Sequence, residues 1–172
     1  MVEVGGMRKI KIKTIAILVL AVITVEGIIV ALKDNCFFYK TPEEAFSAAY
    51  FGRSKAHIVL IGEDTAFIVG SNSRKNLSLI LEKKENGWRV GNKLLDETST
   101  LLVAGNGSGI VSHRKGTLDY YVEVIFPFGG EHVVSDNCGS SFQELRNEDG
   151  SVCYFAWISG WQENYLICCG TD

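Results

Sequence analysis

Leu118-Asp119-Tyr120-Tyr121-Val122-Glu123-Val124-Ile125-Phe126 alternates with a period of two. Tyr120, Val122, Val124 and Phe126 share one face of an extended chain. Asp119, Tyr121, Glu123 and Ile125 share the other, because successive strand side chains point to opposite faces. The same period recurs on both sides of this stretch. Upstream, residues 58–62 and 66–71 read as strands around Glu63-Asp64-Thr65, and Leu77, Leu79 and Leu81 alternate with Ser78, Ile80 and Glu82. Asn86-Gly87 is a hairpin signal leading into Trp88-Arg89-Val90, and Ile110-Val111-Ser112 reads as a further strand. Downstream come residues 133–135, 151–158 and 165–169, with a second turn at Asp149-Gly150. One helix breaks the pattern. Thr41 can cap it, Pro42 suits its first position and Glu44 completes a capping box; it should run through Phe51 and stop at Gly52. The predicted class is α+β, mainly antiparallel β in a sandwich or partly open barrel with one short helix, preceded by one N-terminal transmembrane helix.

That transmembrane expectation comes from the other end of the chain. Arg8, Lys9, Lys11 and Lys13 precede an apolar run over residues 14–32 broken only by Glu26. As a helix the run spans about 28 Å, close to the roughly 30 Å of a bilayer's hydrocarbon. A carboxylate there costs on the order of 3 kcal/mol on insertion scales, which the dozen surrounding Ile, Leu and Val residues outweigh. The basic collar keeps the N-terminus in the cytoplasm and exports the chain beyond Leu32. The expected organisation is a cytoplasmic basic N-terminus at 1–13, a signal-anchor at 14–32 and an extracytoplasmic, mainly β domain at 33–172. Phe37, Phe38 and Tyr39 come directly after the run, as an outer aromatic belt or as the first core residues. The alternative is secretion after signal cleavage: residues 15–25 have h-region length, and Val25-Glu26-Gly27 and Ile29-Val30-Ala31 offer cleavage positions. Cleavage after Gly27 would expose Ile28-Ile29-Val30, which favours the uncleaved anchor. Met7, directly before the basic collar, is a second candidate start.

Residues 33–172 carry 13 Lys and Arg against 18 Asp and Glu, scattered rather than clustered. Such a domain lacks the basic patch that phosphate binding needs, so nucleic acid is excluded as a partner. All five cysteines lie beyond the apolar run: Cys36, Cys138, Cys153, Cys168 and Cys169. In an oxidising compartment they can pair, in a reducing one they would be plain buried hydrophobes, and no C-x-x-C marks a redox or zinc motif. If residues 151–158 pair with 165–169, Cys153 faces Cys169, or Cys168 after a one-residue slip. A Cys138–Cys153 bridge is the other choice, and two buried thiols are the plain alternative. The odd count leaves at least one thiol free or available to another chain, with Cys36 the candidate.

Catalytic and cofactor motifs are not legible. Gly105-Asn106-Gly107-Ser108-Gly109 precedes a strand rather than a helix, so it reads as an inter-strand loop. His57, His113 and His132 share no metal-ligand spacing. The pairs Glu63-Asp64, Asp96-Glu97 and Glu148-Asp149 read as solvated turn residues, and Asp136-Asn137 with Gly139-Ser140 reads as a turn rather than a calcium loop. No metal or cofactor is expected. Trp157, Trp161 and Tyr165 are candidate interaction aromatics, although at strand spacing such rings are more often core. Asn76-Leu77-Ser78 and Asn106-Gly107-Ser108 match the short glycosylation sequon.

Met7-Arg8-Lys9-Ile10-Lys11, the apolar run, Thr41-Pro42-Glu43-Glu44-Ala45 and Lys83-Lys84-Glu85-Asn86-Gly87-Trp88 together give a layout that resembles small single-pass membrane proteins of Gram-positive bacteria. The resemblance implies cell-envelope residence and no particular activity. The functional expectation is a non-enzymatic, membrane-anchored binding or interaction domain. Its partners would be the bilayer and an envelope or membrane protein. The alternatives are a hydrolase with an unrecognised site, and an accessory subunit whose Glu26 pairs with a basic residue of another membrane helix.

Overall fold

A computed structural model describes residues 14, 15, 17–25, 37–71, 76–91, 93–101, 103, 107–128 and 130–170. The chain divides into two units, Met1–Phe37 and Phe38–Asp172. In the first, residues 14, 15 and 17–25 are helical (α1) and their side chains are exposed. Among the described residues no helix is long and apolar enough to cross a membrane. The rest of the expected span, with Glu26, lies outside the described residues, as does Cys36.

The second unit is mainly antiparallel β. It opens with a short helix, α2 (Pro42–Ala49), started by the chemistry that its sequence announces. The Thr41 hydroxyl accepts the Glu44 N–H at 3.2 Å, and the Glu44 carboxylate accepts the Lys40 N–H at 3.1 Å. The helix ends two residues earlier than expected. Phe51 (φ 56°) and Gly52 (φ 71°) are both left-handed. Their N–H groups bond Ala48 O and Ser47 O, a Schellman close with phenylalanine where glycine usually stands.

The first sheet is a four-strand meander: β1 (Lys55–Ile61), β2 (Thr65–Ser71), β3 (Asn76–Lys84) and β4 (Gly87–Val90), in that order. A 3-10 turn (Lys93–Leu95) leads out of it. The second sheet contains β5 (Asp96–Leu101), β6 (Ser108–Arg114), β7 (Asp119–Phe126), β9 (Gln143–Arg146) and β10 (Val152–Ser159). Its spatial order is β5-β6-β7-β10-β9. Between β7 and β9 in sequence comes β8 (Val133–Asp136), which pairs with β11 (Ile167–Gly170).

Three apolar layers result from the strand alternation. Phe46 and Ala45 of α2 cover one face of the first sheet, against Ile68, Leu79, Leu81 and Trp88. The opposite face, with Ile58, Leu60, Phe67 and Ile80, packs on Tyr121, Cys153 and Phe155 of the second sheet. The outer face of the second sheet, with Val122, Val124, Val152 and Tyr154, is covered by Tyr165 and Ile167. Full burial of each such side chain contributes roughly 1.5–3 kcal/mol. Tyr39 joins the first core, bridged to Trp88 by two 2.8 Å backbone bonds, while Phe37 and Phe38 are exposed.

Two further features depart from the sequence reading. Asp96-Glu97 is not a turn but the start of β5, whose exposed Asp-Glu-Thr-Ser-Thr run has no apolar alternation to betray it. The strands β10 and β11 do not pair. β10 lies between β7 and β9, with Cys153 opposite Ile125 and Leu145. β11 pairs with β8, with Cys168 opposite Ser135 and Cys169 opposite Val134.

The two sheets are clasped by buried polar groups. Asp119, 1% exposed at the start of β7, accepts the N–H groups of Glu63, Asp64 and Thr65 at 2.8 Å each. It also accepts the Thr65 hydroxyl at 2.9 Å and the Trp157 indole N–H at 2.9 Å. Burial alone would raise the Asp119 carboxyl, but these bonds outweigh it and hold the group below the usual carboxylate range. Gly62 completes the fit, because a Cβ there would lie 2.2 Å from Asp119 Oδ1. A second clasp is Arg114, 2% exposed, which reaches Glu82 of β3 at 2.6 Å and Asp96 of β5 at 2.7 Å.

Asp119→Asn puts an amide donor where N–H donors converge, so it should destabilise the domain by about 2–4 kcal/mol in urea titrations at pH 7. The wild-type carboxylate, with its depressed pKa, contributes stability above its unfolded pKa and loses it as pH falls through the folded one. The difference between wild type and variant should therefore shrink on acidification. Gly62→Ala should be destabilising in the same assay; a neutral result for both would remove the clasp from the account.

Candidate functional site

A cleft of about 120 Å³ opens between the two sheets. Val69, Asn76, Leu77 and Ser78 line it from the first sheet. Glu123, Leu145, Cys153 and Phe155 line it from the second, with Asn147 just beyond β9. Strand alternation explains the composition. Tyr121, Glu123 and Ile125 point toward the first sheet, and so do Cys153, Phe155 and Trp157 of the adjacent strand. Glu123 thus lies between Tyr121 and Ile125 on the inter-sheet face that also carries Asp119.

Its surroundings are one-sided. Phe155 stands directly opposite on β10 and Ile110 on β6. Among the described residues Glu123 has no hydrogen-bond or ion-pair partner. Burial alone pushes its carboxyl above the ordinary range. Asn147 and Cys153, two of the cleft's other polar groups, are already engaged. Asn147 donates to Ser151 Oγ at 2.9 Å and to Cys153 Sγ at 3.4 Å, and its carbonyl oxygen accepts from the Asn76 amide at 3.3 Å, bridging the sheets. The Cys153 thiol is pushed up by burial first and then by the charge of Glu123. A reactive cysteine needs electropositive surroundings that favour its thiolate; this one has the reverse.

The remaining sequence candidates are dispersed. Cys138, Cys153, Cys168 and Cys169 are free thiols. Cys153 belongs to the inter-sheet core, whereas Cys138 and Cys169 pack against the outer core, so the β10–β11 register on which a Cys153–Cys169 bridge rested is not formed. Trp157 is committed to Asp119. Trp161 and Tyr165 do come together. His113 stacks on Tyr120 at 4.8 Å, Tyr120 meets Trp161 at 5.5 Å and Trp161 meets Tyr165 at 5.4 Å, a row with Trp161 41% exposed. Tyr165 is anchored by its hydroxyl on Asp136 at 2.8 Å. Asp136 also accepts the N–H groups of Cys138 and Ser140, so it is a turn organiser. His57 bonds Ser71 and His132 stacks on Phe126. Among the described residues no group of three His, Cys, Asp or Glu side chains is placed to hold a metal ion.

No family model, no curated protein and no solved structure matches this chain. The cleft must be read from its own chemistry. Sequence reasoning placed Glu123 on the correct strand face beside Tyr121, but the cleft needs Asn147 and Leu145. These come from the β9 region, whose Gln-Glu-Leu-Arg has no apolar alternation to mark it.

The unpaired carboxylate should reveal itself through pH. A pKa raised in the folded state means stability that is full below the unfolded pKa and is lost as pH rises through the folded value. Glu123→Gln should therefore raise the melting temperature at pH 7 and leave it nearly unchanged near pH 3.5. A variant less stable than wild type at pH 7 would show that Glu123 has a partner in solution.

Proposed function

We propose that this protein is a binding domain held at the outer face of a membrane by its N-terminal segment, and that the cleft around Glu123 receives one side chain of a partner in the envelope. The anchoring part of the reading rests on the basic collar at Arg8, Lys9, Lys11 and Lys13 and the apolar run after it. The binding part rests on one observation: a carboxylate with no partner among the described residues, set in a cleft of mixed lining between the sheets. That arrangement destabilises the free domain and is relieved when a complementary group enters.

The size of the cleft supports a partner's side chain over a free cofactor, since sites for drug-sized ligands run to about 300–1,000 Å³. The environment of Cys153 favours binding over nucleophilic catalysis: burial and Glu123 both oppose the thiolate that a cysteine hydrolase would use.

Protease treatment of intact cells expressing the full chain tests the address. Residues 33–172 should be digested from outside, with the basic N-terminus protected. A photoreactive residue in place of Ser78, at the edge of the cleft, should crosslink one discrete envelope protein, and the adduct should be lost when Leu145→Trp fills the cleft. Protection of the domain in intact cells would overturn the address. An adduct pattern indifferent to Leu145→Trp would overturn the binding role.

A further inference from the structure

We propose that the group received by the cleft is an alkylammonium, the side chain of a lysine on the partner; this inference rests on the binding reading above. The cleft combines apolar side chains with one acidic group. Val69, Leu145 and Phe155 present hydrocarbon, Asn76, Ser78 and Asn147 present polar groups, and Glu123 presents a carboxylate with no partner among the described residues. A lysine side chain has the matching order, an apolar stem ending in a compact charge.

Charge and geometry both select a cation. A neutral or anionic group would leave the carboxylate desolvated and unpaired, whereas an ammonium cancels the cost that burial imposes on it. The ammonium carries three donors. Glu123 can accept from it, and Ser78 lines the same cleft with a second acceptor oxygen. A guanidinium is a wide planar fork, best matched by a carboxylate approached edge-on with space on both sides. In a space of about 120 Å³ with Phe155 opposite Glu123, the point charge fits better. A partner's side chain is favoured over a free amine by the polar edge of the cleft. Ser78 and the Asn76 amide, which spends one donor on Asn147, line the cleft there, where a peptide backbone entering with its lysine would meet hydrogen-bonding groups.

The test uses the full-length chain in detergent micelles with its glutamate side-chain carboxyls labelled with carbon-13, and four probes: n-butylammonium, n-butanol, n-butylguanidinium and the peptide acetyl-Gly-Lys-Gly-amide. Expected is a saturable shift of the Glu123 carboxyl resonance with n-butylammonium, at least tenfold tighter than with n-butanol, and tighter again with the peptide. Glu123→Gln, which removes an unpaired charge and should fold, is expected to reduce n-butylammonium to the level of n-butanol. Equal binding of n-butylammonium and n-butanol would overturn the cation inference and leave the binding cleft standing. Tighter binding of n-butylguanidinium would overturn the choice of ammonium. Peptide binding no tighter than n-butylammonium would overturn the partner side chain as its source. No response of Glu123 or of the Leu145 methyl signals to any probe would overturn the cleft reading itself.

Discussion

The Asp119 carboxylate holds the two sheets in register. Five donors converge on it: three backbone N–H groups of the β1–β2 turn, the Thr65 hydroxyl and the Trp157 indole. Those donors come from both sheets, and each would otherwise lose its partner on burial. The carboxylate sits at the start of β7, so the turn it organises is pinned to the strand that also carries Tyr121 and Glu123. Thr65 extends the network by bonding the Tyr121 hydroxyl at 2.7 Å. The geometry leaves no room for a Cβ at residue 62, so the glycine before the turn is dictated by the carboxylate that closes it.

Arg114 performs a related task on the same interface. Glu82 is pushed up by burial, yet the hydrogen bonds and charges of Arg89 and Arg114 outweigh that and hold it low. Asp96, bonded to the same Arg114, ends above its ordinary range because burial is its largest influence. One buried guanidinium thus serves two carboxylates unequally. Gly91 lies against it, where a Cβ would fall 1.5 Å from Arg114 Nη1. These two clasps put the neighbouring position, Glu123, in relief: it lies on the same inter-sheet face as Asp119 and has no comparable set of donors. Three acidic side chains at one interface therefore have different fates. Asp119 is satisfied by hydrogen bonds, Glu82 by arginines, and Glu123 by nothing among the described residues.

Legibility in the sequence tracked the strength of local signals. The strands that bury one or both faces, β1, β2, β3, β7 and β10, were visible because their apolar residues alternate or run continuously. β5 and β9 were invisible, since Asp-Glu-Thr-Ser-Thr-Leu and Gln-Glu-Leu-Arg lie at the two edges of a sheet and keep most side chains in water. Their loss had a consequence for the site. Without β9, the sequence offered β11 as the neighbour of β10 and set Cys153 opposite Cys169, whereas the true neighbour carries Leu145 and leads to Asn147. The helix start was legible to the residue because capping is local; its end was not, because Phe51 takes the left-handed position that the glycine rule assigns to residue 52.

By itself the sequence determined the periodicities, the turns at Glu63-Asp64 and Asp149-Gly150, the helix start at Thr41-Pro42, and which side of β7 each residue occupies. All of these depend on interactions within a few residues of the chain. Tertiary structure alone decided which strands are neighbours, that Asp119 reaches back 54–56 residues to close a turn, and that Glu123 borders a cleft with Asn76 and Asn147. Those are contacts between segments far apart in the chain. Local propensity carries no information about the partner that closes such a contact, because the free energy that selects it comes from burying two complementary surfaces at once.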